Sequence, residues 1–429
     1  MLSGFWTDSS PAEIKTGIGD VNMRINVIGN KILRNSLAVI CTAAIMGGLG
    51  GCGKADPELV INSTEEVTEI MTETETEAKP DTSTNTEADS EKDTEADTTA
   101  KEEITLSTEI APVFGNRKAI VTIVSDDGHY DSGMYLDQLL EKHDLTATVA
   151  GAVVIVSQAE NEWRDTLSHN RIKMVSHGRW HQPMEEGSTI SGDEEALRNE
   201  ISDAGSYFED FLGEKPICFV CPENKMCEKG YKILEEDGYV AVRRGDRGLN
   251  SLSPEEGTEP GQWFNLRTRG ILDEETTEGR NAWVDEAINE KGWLIEMWHN
   301  VKPEDDNMYQ TILIPDADQH LAYLEKKSGS GDIWVTDFET ATLYIYEKEH
   351  VTIDAVYKDG TITINAGMNA GKLTDERLDV PLTVNITLPE DIPGDTEFYD
   401  AAGEKLSFEN GILSFSMIPN RKITEITAK

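Results

Sequence analysis

The chain has 429 residues, with 38 Lys and Arg against 81 Asp and Glu, for a formal net charge of −43. So large a surplus of carboxylates repels phosphate backbones, which excludes nucleic-acid binding as the working reading. With 38% hydrophobic and 7% aromatic residues the chain can bury a core, but it is lean for its length, so part of it is expected to stay outside any core.

Residues 32–49 are a largely apolar run (ILRNSLAVICTAAIMGGL) with Arg24 and Lys31 before it and Arg34 near its start. A basic lead, a short apolar middle and small closing residues describe an export signal rather than a spanning helix. The run ends Leu49-Gly50-Gly51-Cys52, which resembles the lipobox of bacterial lipoproteins. That resemblance implies cleavage before Cys52, lipidation of its thiol, and a protein exported and lipid-anchored to the outer face of the cell membrane. A plain signal peptide or an uncleaved anchor is the other reading of residues 1–51. Acidic Asp8, Glu13 and Asp20 precede the basic lead and suit no export signal, so Met23 is the expected start.

Residues 52–112 are expected to form an acidic Thr/Glu-rich linker. Between 61 and 110 there are 16 acidic residues against three lysines, a net of −13, with almost no large apolar side chains. Such a segment cannot bury enough surface to offset its ordering entropy, and its like charges extend it.

Folded character begins near residue 113. Residues 118–124 (KAIVTIV) read as a strand buried on both faces, followed by a helix at 134–142 and a second apolar run at 145–156. Leu197, Ile201, Ala204, Phe208 and Phe211 recur at spacings of three and four, which predicts an amphipathic helix over 194–211. Short apolar runs at 217–220, 239–242, 293–297 and 333–336 then alternate with helical stretches at 229–236, 281–290, 318–326 and 339–346. The alternation predicts a parallel α/β sheet or distorted barrel over 113–348, with any chemistry at the C-terminal strand ends. Beyond 349, runs at 351–357 and 361–365 flank Asp359-Gly360, and 413–417 follows Asn410-Gly411, so 349–429 reads as a small β-sandwich. A structural cap is expected of it rather than a carbohydrate-binding module.

Chemistry-bearing residues follow the strands. Ser125-Asp126-Asp127-Gly128 closes the first strand, and two adjacent carboxylates there point different ways, one able to ligate a metal and the other to face a water. Residues 175–181 (VSHGRWH) end another strand with His177 and His181 four apart. Two His and one Asp suit a catalytic divalent ion with an open position, whereas a structural zinc would take four protein ligands. A third His, His299, follows the apolar run 293–298, and imidazoles exchange protons near neutrality.

The Asp-Asp pair, the His-x-x-x-His and the late His, in this order, resemble the polysaccharide deacetylases with a NodB homology domain, carbohydrate esterase family four. The resemblance spans about residues 115–348. It extends to Leu145-Thr146-Ala147-Thr148-Val149, to Val220-Cys221-Pro222-Glu223-Asn224 and to Asp332-Ile333-Trp334-Val335-Thr336. It implies that Asp127, His177 and His181 bind a divalent metal, usually Zn2+, with Co2+ or Ni2+ as alternatives. It further implies that Asp126 is the general base toward the attacking water, that His299 is the general acid, and that the backbone N–H of Glu223 helps hold the oxyanion. The implied reaction removes an acetyl group, N- or O-linked, from a carbohydrate polymer or oligosaccharide.

The family commonly has Arg two residues before the third-motif Pro and Tyr just after it, where this chain has Val220 and Glu223; Ser125 and Met297 are further departures. That Arg orients the base, so either Arg243 or Arg244 replaces it here or the base is held more loosely. A glycan-binding lipoprotein with weak or lost catalysis is therefore the alternative. Cys218, Cys221 and Cys227 read as one disulfide with a spare thiol or as three buried thiols. Trp180, Trp263 and Trp298 are candidates for stacking on sugar rings, Trp180 being the expected substrate wall. No protein partner is implied. About −30 of the charge lies on residues 111–429, which suits neutral or cationic glycans and argues against anionic polymers.

Overall fold

The computed structural model describes residues 103–253, 262–270, 276–419 and 424–429. The expected leader, the lipidation at Cys52 and the acidic segment up to 102 lie outside the described residues. Among the described residues no helix is long and apolar enough to cross a membrane.

In chain order the elements are β1 (Ile104–Ile110), β2 (Ala119–Ser125), α1 (Tyr130–His143), β3 (Ala147–Gly151), α2 (Val153–Val156), α3 (Glu160–Leu167), β4 (Ile172–Ser176), α4 (Glu194–Leu212), β5 (Cys218–Val220), α5 (Glu228–Glu236) and β6 (Ala241–Arg247). There follow β7 (Leu266–Gly270), α6 (Thr277–Glu290), β8 (Trp293–Trp298), β9 (Asn300–Lys302), β10 (Thr311–Leu313), α7 (Ile314–Gly329), β11 (Ile333–Val335) and α8 (Phe338–His350). The last strands are β12 (Val351–Lys358), β13 (Thr361–Met368), β14 (Leu382–Thr387), β15 (Phe398–Tyr399), β16 (Ser407–Glu409), β17 (Ile412–Met417) and β18 (Thr424–Ala428).

Strands β2 to β8 run parallel in sequence order, and β8 pairs back onto β2, closing a seven-stranded barrel. β11 pairs with the first half of β2, and β3 with its last two residues. β2 is buried along its whole length, as its β-branched run requires, and its side chains alternate between two apolar clusters. Val121 and Ile123 pack under the helices that carry Leu136, Leu140, Val284 and Leu321. Ile120 and Val124 belong to a cluster that runs through Phe338 and Tyr344 of α8 to Ile364, Leu382 and Ile386 of the antiparallel sheet. The run 145–156 is not one strand: β3 ends at Gly151, where the chain turns into α2.

The C-terminal strands form one eight-stranded antiparallel sheet in the order β15-β18-β13-β12-β1-β14-β17-β16. Its centre is β1, which the sequence reading had put inside the linker 52–112; the ordered structure reaches back at least to Ile104. The first half of β1 (Ile104–Leu106) pairs with β12 and the second (Ser107–Ile110) with β14. ITLSTEI alternates apolar and polar residues as a half-exposed strand should, but it directly follows a charged run whose composition hid the pattern. α8 joins barrel and sheet: the Phe338 N–H donates to Thr148 Oγ1 in the barrel, and the Tyr344 hydroxyl donates to the Ala111 carbonyl.

Candidate metal centre and catalytic rim

The C-terminal ends of the barrel strands are stitched together by backbone hydrogen bonds. The Asp126 N–H donates to Trp298 O (2.9 Å), Ala152 N–H to Asp127 O (3.0 Å), His177 N–H to Gly151 O (2.8 Å) and Cys221 N–H to Arg243 O (3.1 Å). Each loop is thus held by the neighbouring strand end, which gives the side chains between them defined directions. Asp127 (φ +74), His181 (φ +57) and Glu223 (φ +54) all lie in the left-handed region. For non-glycine residues that costs about 1–3 kcal/mol each, and such strain gathers at functional sites.

Asp127, His177 and His181 each offer a ligand atom, and the three atoms lie within 4.8 Å of one another. His181 Nε2 is 3.3 Å from Asp127 Oδ1, and His177 Nε2 is 3.7 Å from the same oxygen. Donors about 2.1 Å from a tetrahedral ion stand about 3.4 Å apart, so this set fits a zinc-sized divalent cation. The His177 Nδ1–H donates to the Val220 carbonyl at 2.9 Å. A carbonyl can only accept, so the Nε2 lone pair is the one presented to a metal. Burial, followed by the nearby His181, pushes the His177 pKa down to about 3, which keeps the ring neutral.

Asp126 is almost fully buried, and its Oδ2 accepts from Arg243 Nη2 at 2.6 Å; the Arg243 side chain is fully buried. Arg244 instead faces Asp246 at 3.6 Å. Of the two candidate arginines, the structure brings only Arg243 to the carboxylate. Arg243 lies on β6, next to the β5 residue Val220 where the family pattern has its Arg, and the β5–β6 register pairs these two positions. Asp126 Oδ1 and His299 Nδ1 are buried with no hydrogen-bond partner among the described residues.

His299 follows β8, whose last residue Trp298 pairs with Ser125 of β2. The His299 carbonyl accepts from Ser125 Oγ at 2.9 Å, and the imidazole packs edge-to-face on Tyr309 with ring centroids 4.8 Å apart. Glu223 sits in the turn after β5. A Cβ on Gly178 would come within 3.2 Å of Pro222 Cγ and 2.5 Å of Glu200 Oε1, so only glycine lets this turn and α4 close on the His-x-x-x-His loop.

Two contributors escaped the sequence reading. Glu200 on α4 is buried, and its carboxylate accepts the Trp180 N–H (3.0 Å) and the Gln182 N–H (3.0 Å), clamping the residues on either side of His181. Burial raises its pKa, and these N–H bonds oppose the rise. Its signal was a glutamate at the apolar spacing of Leu197, Ile201 and Ala204. Tyr309 is the other, 65% exposed beside His299 with Met308 next to it. Trp180 is 49% exposed and lines an open cleft of about 340 Å³ with Gln182, Asn199 and Glu195. Trp263 and Trp298 are buried in the apolar clusters and are core residues, not stacking surfaces. Cys218, Cys221 and Cys227 are three free buried thiols, and burial pushes Cys221 up to about 12.

No family model matches the chain, and no curated protein does. Among solved structures, a putative polysaccharide deacetylase from Mycobacterium smegmatis is similar at 13% identity and TM-score 0.40, over 56% of this chain and 94% of that one. A family 4 carbohydrate esterase from Streptomyces lividans, in complex with acetate, is similar at 15% identity and TM-score 0.33, over 50% and 90%. A CE4 family pseudoenzyme from Bacillus anthracis is similar at 14% identity and TM-score 0.36, over 53% and 66%.

Proposed function

We propose that the barrel is a metal-dependent deacetylase of the NodB homology type, which hydrolyses acetyl groups from a carbohydrate polymer or oligosaccharide. The observation that carries this reading is the pairing of the Asp127, His177 and His181 donor set with an adjacent carboxylate, Asp126, gripped by Arg243. Asp127, His177 and His181 would hold the divalent ion, with Zn2+ the first candidate and Co2+ or Ni2+ as alternatives. Such an ion polarises an acyl carbonyl and eases deprotonation of water.

The chain's own groups do the rest. Arg243 fixes Asp126 Oδ2, which leaves Oδ1 to take a proton from the attacking water as its oxygen bonds to the acetyl carbon. The backbone N–H of Glu223, in its turn beside Gly178, would donate to the oxyanion. His299 would deliver a proton to the departing sugar nitrogen or oxygen as that bond breaks, giving acetate and a deacetylated sugar. Trp180 and Tyr309 are exposed aromatic side chains suited to stacking on sugar rings. The alternative of a binding protein without catalysis was motivated by the missing Arg before Pro222, and Arg243 supplies a guanidinium to the same kind of carboxylate. Export and lipid anchoring through Cys52 complete the proposal.

The test is acetate release from N-acetylated chitooligosaccharides and from acetylxylan, with added Zn2+ or Co2+. Release from at least one, abolished by Asp126→Asn, is expected. A protein that binds the ion yet releases no acetate from either substrate overturns the catalytic reading. Labelling of cells with a fatty-acid probe, lost in Cys52→Ala, tests the anchor.

A further inference from the structure

The antiparallel sheet carries a second open cleft, of about 510 Å³, away from the residues of the metal centre. Its floor is the outer face of β14 and β17, where the register pairs Thr383 with Ser416 and Asn385 with Ser414. The turn at Gly115-Asn116, both residues at positive φ, folds against this face, and the Gly115 N–H donates to Thr383 Oγ1 at 2.7 Å. Asn116 and Asn385 exchange amide hydrogen bonds, Nδ2 of each donating to Oδ1 of the other at 3.1 and 2.8 Å. Ser414 Oγ donates to Asn385 Oδ1 at 2.7 Å and accepts from Asn116 Nδ2 at 3.4 Å.

These bonds hold the side chains still without exhausting them. Asn385 keeps one N–H, Asn116 one carbonyl lone pair and Ser414 one hydroxyl lone pair after the bonds above. At the rim Ile412 is 43% exposed, an apolar surface beside the hydroxyls and amides. In a chain that is 28% charged, Glu409 is the single charged side chain lining the cleft among the described residues. Fixed amides and hydroxyls with an apolar edge and almost no charge match a ligand that is itself neutral, rich in hydroxyls and apolar on its C–H faces. They suit neither an anion nor a cation.

We propose that this cleft binds a segment of neutral polysaccharide, which makes the antiparallel sheet a glycan-binding module rather than only a structural cap. The proposal does not depend on chemistry at the metal centre. Native electrophoresis of the full chain in gels containing hydroxyethyl cellulose, glycol chitin or acetylxylan tests it. At least one of these neutral polymers is expected to retard the protein, and His177→Ala is expected to be retarded equally. Asn116→Ala, at an exposed turn, and Ile412→Lys, at an exposed edge, are each expected to weaken retardation by about tenfold, the size expected when a fixed hydrogen bond or an apolar contact is lost. Unchanged thermal unfolding would show that both variants are folded. Migration unaffected by all three polymers overturns the proposal, as does retardation that survives both cleft variants or disappears in His177→Ala. Acetate release is measured separately, so failure of binding and failure of catalysis are distinguished.

Discussion

Arg243, on β6, and Asp126, just after β2, form a buried ion pair, Nη2 to Oδ2 at 2.6 Å, between two strands that are not neighbours in the barrel. Removing one partner of such a pair leaves an uncompensated charge, which typically costs 3–5 kcal/mol. Arg243→Met is therefore expected to lower both thermal stability and acetate release, the latter by at least about 100-fold if the base loses its orientation. Arg244→Met is expected to leave both close to the parent. Steady-state rates and unfolding curves for the two variants check the assignment, and equal losses in both would refute it.

Metal binding should stabilise the fold by mass action. At a free ion concentration of about 100 times Kd the gain is about 2.7 kcal/mol. Zinc added to chelator-treated protein is expected to raise the unfolding midpoint, and His177→Ala or Asp127→Ala to abolish the rise. Metal content by elemental analysis should fall in parallel.

Glu200 should tune the centre without touching it. Its carboxylate holds the Trp180 and Gln182 N–H groups that bracket His181, and losing such a supporting group typically costs 10–100-fold in metal affinity. Glu200→Ala is expected in that range, and Glu200→Gln, which keeps an acceptor oxygen, is expected to lose less. Competition titration with a zinc indicator reads the difference.

A carboxyl buried at the junction of α8 and the antiparallel sheet sets a pH dependence. Burial raises the Glu347 pKa to about 8, although its Oε1 accepts the Val380 N–H at 3.0 Å. The folded pKa lies above the unfolded one, so the folded state binds more protons between about pH 4.5 and 8. Stability is then fullest below that window and falls as pH rises through it. Glu347→Gln is expected to raise the melting point at pH 8 by about 2–4 °C for each kcal/mol recovered, with little change at pH 4.5. Calorimetry at the two pH values checks the sign.

The barrel and most of the candidate site could be read from the chain because each depends on local pattern. β2 announces itself by an unbroken β-branched run, and Asp127, His177 and His181 by residue type and position after a strand. What could not be read depends on register between distant strands. Choosing Arg243 over Arg244 requires knowing which of two adjacent residues on β6 faces Asp126, 117 positions away. Tyr309 reaches His299 only through the β9–β10 pairing, which involves three residues on each strand and leaves almost no compositional trace. Glu200 was visible in principle, as a charge on an apolar stripe, but looks like an ordinary helix residue unless the stripe is drawn.

Strand β1 also places the protein in a line of force. Any pull applied through residues upstream enters β1 at Ile104, passes along the strand and reaches the barrel through Ala111 and Val113. β1 is already extended at about 3.3 Å per residue, so tension has little slack to draw out. Its hydrogen bonds to β12 and β14 run across that line and are loaded in shear, many at once. The central strand of the sheet thereby serves as a stiff coupling between the upstream chain and the barrel.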